Sequence, residues 1–137
     1  MSTPICHHRW KEWDCTLLTP LSMLRLSMDA IMEMTNGCGR EGIEGRIVPD
    51  TIWGLDISPV CRVHDWMYAD ADTADEENYA DAIFGANLIS LIKQKTSSRI
   101  LQWLRLRRAY KYIDAVALTN CVSVATLEAI GIKDMVC

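Results

Sequence analysis

The sequence predicts a single all-α domain over residues 1–137. Three observations predict it. Residues 58–71 and 74–93 are both apolar at helical spacing and are separated by a short polar turn. Segments 20–34 and 99–119 repeat that spacing on either side of the pair. Between them, residues 36–56 carry five of the chain's seven glycines and no periodicity, which marks a loop.

From the N-terminus, residues 1–18 read as an irregular arm docked through Trp10 and Trp13. Thr19-Pro20 opens a helix to about residue 34, with Leu21, Leu24, Met28, Ile31 and Met32 on one face. Its methionines, Met23, Met28, Met32 and Met34, suit either plain core packing or an apolar path, and core packing is the simpler reading. The glycine tract follows, and a short β-ribbon near residues 46–53 is compatible with it. Ser58-Pro59 starts the next helix, since Ser caps and Pro costs nothing in the first turn. Thr73 and Glu76 form a capping box for the helix over 74–93. Thr96-Ser97-Ser98 interrupts the chain before a basic helix over 99–119, and a last helix is expected at 122–130, ended by Gly131.

The two central helices each place an ionisable residue inside an apolar stripe. His64 has Val60, Cys61, Met67 and Tyr68 around it; Asp81 has Phe84, Gly85, Leu88 and Ile92. A carboxylate that faces a core must be paired and hydrogen-bonded. Both residues stand about eight positions from the turn, hence roughly 12 Å from it along their helices. An antiparallel hairpin therefore brings imidazole and carboxylate together. A buried structural pair and a catalytic dyad both satisfy this pattern.

Composition narrows the remaining choices. A net charge of −4 argues against phosphate-driven nucleic-acid binding as a global property. No uncharged apolar run is long enough for a membrane span, and no signal-peptide pattern is seen at the N-terminus. These readings imply a cytoplasmic protein or one released by lysis or non-standard export. The six cysteines match no standard zinc spacing. Cys6, His7, His8 and Cys15 form an irregular set close to one end, a weak metal candidate.

The run 36–92 resembles the secreted phospholipase A2 superfamily, most closely its small bacterial and phage-encoded members. The resemblance rests on three ordered parts: the Gly-rich loop Asn36-Gly37-Cys38-Gly39-Arg40-Glu41-Gly42; the Cys-x-x-His-Asp-x-x-Tyr helix at Cys61, His64, Asp65 and Tyr68; and an antiparallel helix with Asp81 three residues before Phe84. It implies a phospholipase A2-like fold that hydrolyses the sn-2 ester of glycerophospholipids with Ca²⁺. By that resemblance His64 is the base, Asp81 orients it, Tyr68 supports Asp81, and Asp65 binds the metal with loop carbonyls around Gly37, Gly39 and Gly42. Cys38 and Cys61 match the family's loop-to-helix disulfide. Trp103, Arg105, Arg107 and Arg108 of the basic helix are candidates for the membrane interface. The chain departs from the pattern in a longer glycine loop, in Met67 where a second cysteine is usual, and in the absent export signal. A non-catalytic lipid- or partner-binding protein of the same fold is the alternative.

Overall fold

The computed structural model describes residues 4–35 and 50–117. The chain opens with an antiparallel hairpin, β1 (Ile5–Trp10) and β2 (Cys15–Pro20), paired from Ile5 opposite Pro20 to Trp10 opposite Cys15. A 3-10 turn (Leu21–Arg25) leads to α1 (Met28–Met34). A minimal ribbon, β3 (Thr51–Ile52) with β4 (Leu55–Asp56), precedes three long helices. These are α2 (Ser58–Asp70), α3 (Ala74–Lys95) and α4 (Arg99–Ala117).

The fold is therefore mixed α/β, with four α-helices and two small antiparallel sheets among the described residues, and the all-α expectation is corrected. The hairpin replaces the irregular arm expected over residues 1–18. Its concealment has two causes. β2 is buried at every position except Thr16, so the alternation that marks a half-exposed strand is absent. The four-residue loop 11–14 contains no glycine; Asp14 takes the left-handed conformation itself, at φ 51°. Trp10 is buried and its indole N–H donates to Thr19 Oγ1 at 3.0 Å, so the docking role of that tryptophan holds within a strand.

The expected helix over 20–34 is split. Leu26 is extended, and Ser27 caps α1 by accepting a hydrogen bond from the Ala30 N–H at 3.2 Å. Met23 lies in the core, whereas Met32 and Met34 are exposed, so the four methionines do not share one surface. At α2 the cap also differs from expectation. Ser58 is the first helical residue, and its N–H donates to the Asp56 carboxylate at 2.9 Å. The Thr73–Glu76 cap of α3 forms as expected, with Thr73 Oγ1 accepting from the Glu76 N–H at 3.2 Å. The β-ribbon occurs at residues 51–56. The helix expected at 122–130, and the end of α4 at 118–119, lie outside the described residues.

α3 organises the core. Ile83, Leu88, Leu91 and Ile92 are buried among Val60 and Val63 of α2 and Leu17 of β2. On the side facing β2, two amides take the place of a neighbouring strand. Asn87 accepts from the Leu18 N–H at 2.7 Å and donates to the Leu18 carbonyl at 2.9 Å. Gln94 does the same at Thr16, with distances of 2.8 and 2.7 Å. Two helical turns separate the amides by about 10.5 Å, whereas Thr16 and Leu18 are about 6.8 Å apart. The longer reach of Gln takes up part of that mismatch. The outer edge of β2 is thus closed without a third strand.

Asn87→Leu leaves the buried Leu18 N–H and carbonyl without partners. The expected loss is about 3 kcal/mol of unfolding free energy in denaturant titrations. Gln94→Leu, at an exposed position where water can substitute, should cost under about 1 kcal/mol.

Candidate functional site

α2 and α3 are joined by residues 71–73, so they run antiparallel and carry His64 and Asp81 to the same level. His64 Nε2 lies 2.8 Å from Asp81 Oδ1. The Tyr68 hydroxyl donates to Asp81 Oδ2 at 3.2 Å. The spacing of Tyr68, one turn after His64, allows both side chains to reach the same carboxylate. The imidazole is held between two rings, with centroids 4.6 Å from Tyr68 and 5.2 Å from Phe84.

Burial differs across the pair. The Asp81 side chain has no exposed surface, whereas 14% of the His64 side chain remains open. A carboxylate removed from water requires donors, and His64 and Tyr68 supply one to each oxygen. The hydrogen bond to Asp81 places the proton of a neutral ring on Nε2. Nδ1 then carries the lone pair, and it has no hydrogen-bond partner among the described residues. This arrangement can accept a proton at Nδ1 while a fixed negative charge stabilises the resulting imidazolium.

Asp65 follows His64 on α2 and is half-buried. Among the described residues no group of three or more His, Cys, Asp or Glu is placed to hold a metal. The donors assigned to a cation by resemblance are one carboxylate and backbone carbonyls. That oxygen-only set suits a hard ion such as Ca²⁺, but Gly37, Gly39 and Gly42 lie outside the described residues. Cys61 is disulfide-bonded, and so is Cys6; Cys38, the expected partner of Cys61, lies outside the described residues. Cys15 is a buried free thiol, and burial pushes its pKa up to about 11. The weak candidate set of Cys6, His7, His8 and Cys15 is thus committed to a bridge and a core position at its two thiols.

Two features escaped the sequence reading. Arg62 donates through Nη1 to the Thr35 carbonyl at 2.7 Å and to Thr35 Oγ1 at 3.0 Å, tying the end of α1 to α2. No periodic signal marks such a contact. A cavity of about 20 Å³ lies among Ile5, Pro20, Trp66, Met67 and Tyr79, with Asp70 and Glu76 also lining it. None of His64, Asp65 or Asp81 lines it, so it stands apart from the dyad.

The basic helix divides. Arg107 and Arg108 are exposed, and Trp103 is exposed with the Arg107 guanidinium 5.4 Å from its ring centre. Arg105 does not belong with them and is corrected. It is buried, and donates to Thr96 Oγ1 at 2.8 Å and to the Trp53 carbonyl at 2.9 Å. It shares the inner face of α4 with Ala109 and Ile113, where it ties that helix to the β3–β4 turn. The signal was present: Leu101, Ala109 and Ile113 put Arg105 in an apolar stripe, just as Asp81 lies in one.

Compared with family models, curated proteins and solved structures, the chain finds no match.

Arg105→Met removes the donors to Trp53 and Thr96 and is expected to cost about 2 kcal/mol of stability. Arg107→Gln, on the exposed side, should stay within about 0.5 kcal/mol of wild type. Thermal denaturation of the two variants distinguishes the buried arginine from the surface one.

Proposed function

We propose that the protein is a Ca²⁺-dependent phospholipase A2-like hydrolase that cleaves the sn-2 acyl ester of glycerophospholipids. The observation that carries the reading is the buried Asp81 carboxylate, which accepts hydrogen bonds from both His64 and Tyr68. It leaves one imidazole nitrogen directed away from its partner, as a base for water requires. The ordered motif at Cys61, His64, Asp65 and Tyr68, followed by Asp81, supplies the substrate class by resemblance.

In this reading His64 Nδ1 removes a proton from water as the oxygen attacks the ester carbonyl. Asp81 stabilises the imidazolium so formed, and Tyr68 keeps the carboxylate from turning away. The tetrahedral adduct collapses by breaking the bond to the glycerol oxygen, and His64 returns its proton to that leaving group. Water is thereby divided between the fatty acid and the lysophospholipid. A bound Ca²⁺, held by Asp65 and carbonyls of the glycine loop, would neutralise the developing oxyanion and the lipid phosphate. With no helix among the described residues long and apolar enough to cross a membrane, substrate would be met at the bilayer surface.

Fatty-acid release from phospholipid vesicles, with Ca²⁺ and with chelator, tests the reading. Wild type should release the sn-2 acid only with Ca²⁺, and His64→Gln should lower the rate by roughly 10²–10⁴-fold with the fold retained. Asp65→Asn should raise the Ca²⁺ concentration needed for half-maximal rate, because it removes a charged oxygen ligand. No release by folded wild type across several head groups would favour the non-catalytic lipid-binding alternative.

A further inference from the structure

α4 has two faces of opposite character. At about 100° per residue, Arg105, Ala109 and Ile113 fall within a sector of roughly 80°, and all three are buried. Ile100, Trp103, Arg107 and Tyr110 fall within a second sector of about the same width on the far side. Their surface is open: Ile100 is 77% exposed, Trp103 58% and Tyr110 51%. An exposed row of one aliphatic and two aromatic side chains along one helix is unusual for a surface with no partner.

The charge around this row is segregated. Arg99, Arg107, Arg108 and Lys111 are all exposed on α4, and Asp114 is the one exposed acid on residues 99–114. The chain as a whole has a net charge of −4, so this helix runs against the balance of the molecule. The Arg107 guanidinium lies over the Trp103 ring at 5.4 Å, holding a cation and an indole side by side.

We propose that the outward face of α4, formed by Ile100, Trp103, Arg107 and Tyr110 with Arg108 and Lys111 beside them, docks on the surface of an anionic lipid bilayer. The chemistry selects that occupant. Indole and phenol side chains suit the boundary between head groups and acyl chains, and Lys and Arg pair with anionic head groups. Ile100 gains only from a partner with hydrocarbon beneath its charge, which a nucleic acid lacks. A second copy would bring Arg107, Arg108 and Lys111 against their own like charges in a two-fold contact. The docking does not rest on the hydrolytic reading, because no catalytic residue takes part.

Vesicle sedimentation in the presence of chelator, so that no Ca²⁺-dependent turnover occurs, tests the proposal. Wild type should bind vesicles of phosphatidylglycerol mixed with phosphatidylcholine, and bind pure phosphatidylcholine much more weakly. High salt should reduce the difference. The triple variant Arg107→Gln, Arg108→Gln, Lys111→Gln should bind the mixed vesicles roughly 100-fold more weakly. The double variant Ile100→Ser, Trp103→Ser should lose roughly tenfold or more. Circular dichroism should show both variants folded, since every altered side chain is exposed. Binding by both variants equal to wild type overturns the proposal. So does capture of a single-stranded oligonucleotide without vesicle binding, or a wild-type dimer that the double variant abolishes.

Discussion

A carboxylate with none of its side-chain surface in water constrains everything around it. Asp81 sits about a third of the way along α3, where the neighbouring positions are Ala80, Ala82, Ile83, Phe84 and Leu88, all buried. Left unsatisfied, an ionised group there would cost far more than the few kcal/mol by which a domain of this size is stable. His64 and Tyr68, both on α2, each bond one of the Asp81 oxygens. The requirement fixes the level at which α2 packs on α3, and it orients the imidazole. It also holds Tyr68 over one side of that ring. The polar pair and the packing of the helix hairpin are one constraint seen from two sides.

α3 carries similar demands in other directions. Toward β2 it offers Asn87 and Gln94, whose amides pair with backbone groups as a strand would. Toward α4 the polar contact is made by the other partner, through Arg105 reaching Thr96 and the Trp53 carbonyl. Asn87 and Arg105 are polar groups inside an apolar surface, Gln94 lies at its exposed edge, and each adds direction where packing alone would allow sliding. This explains how short strands, two residues each in β3 and β4, remain ordered beside the helices. Trp53 occupies the β3–β4 turn at φ 46° with Gly54 at φ 78°, a conformation unfavourable for a bulky residue. The hydrogen bond from Arg105 to the Trp53 carbonyl holds that turn in place.

The parts that were legible in the sequence are those governed by helical periodicity. His64 and Asp81 were placed together by spacing from a shared turn, and Thr73 with Glu76 marked where α3 begins. The β1–β2 hairpin was not legible, because a strand buried on both faces loses its alternation and Asp14 stands where a glycine would have signalled the turn. The apolar spacing of residues 20–34 persists through the break at Leu26 and hides it, although Ser27 is a sound cap. In the sequence Arg105 looks like one more member of a basic cluster. A charge cluster in sequence becomes two faces in a helix, and only its angular position separates Arg105 from Arg107.

The hydrogen bond to Asp81 holds a neutral His64 ring as its Nε2–H tautomer and leaves the lone pair on Nδ1. Nitrogen-15 chemical shifts of the labelled His64 ring, recorded where the ring is neutral, test it most directly. The proton should lie on Nε2 with Nδ1 unprotonated, and that preference should weaken in Asp81→Asn, which no longer offers a charged acceptor. A proton on Nδ1, or a wild-type ring averaging between tautomers like a free imidazole, would contradict it.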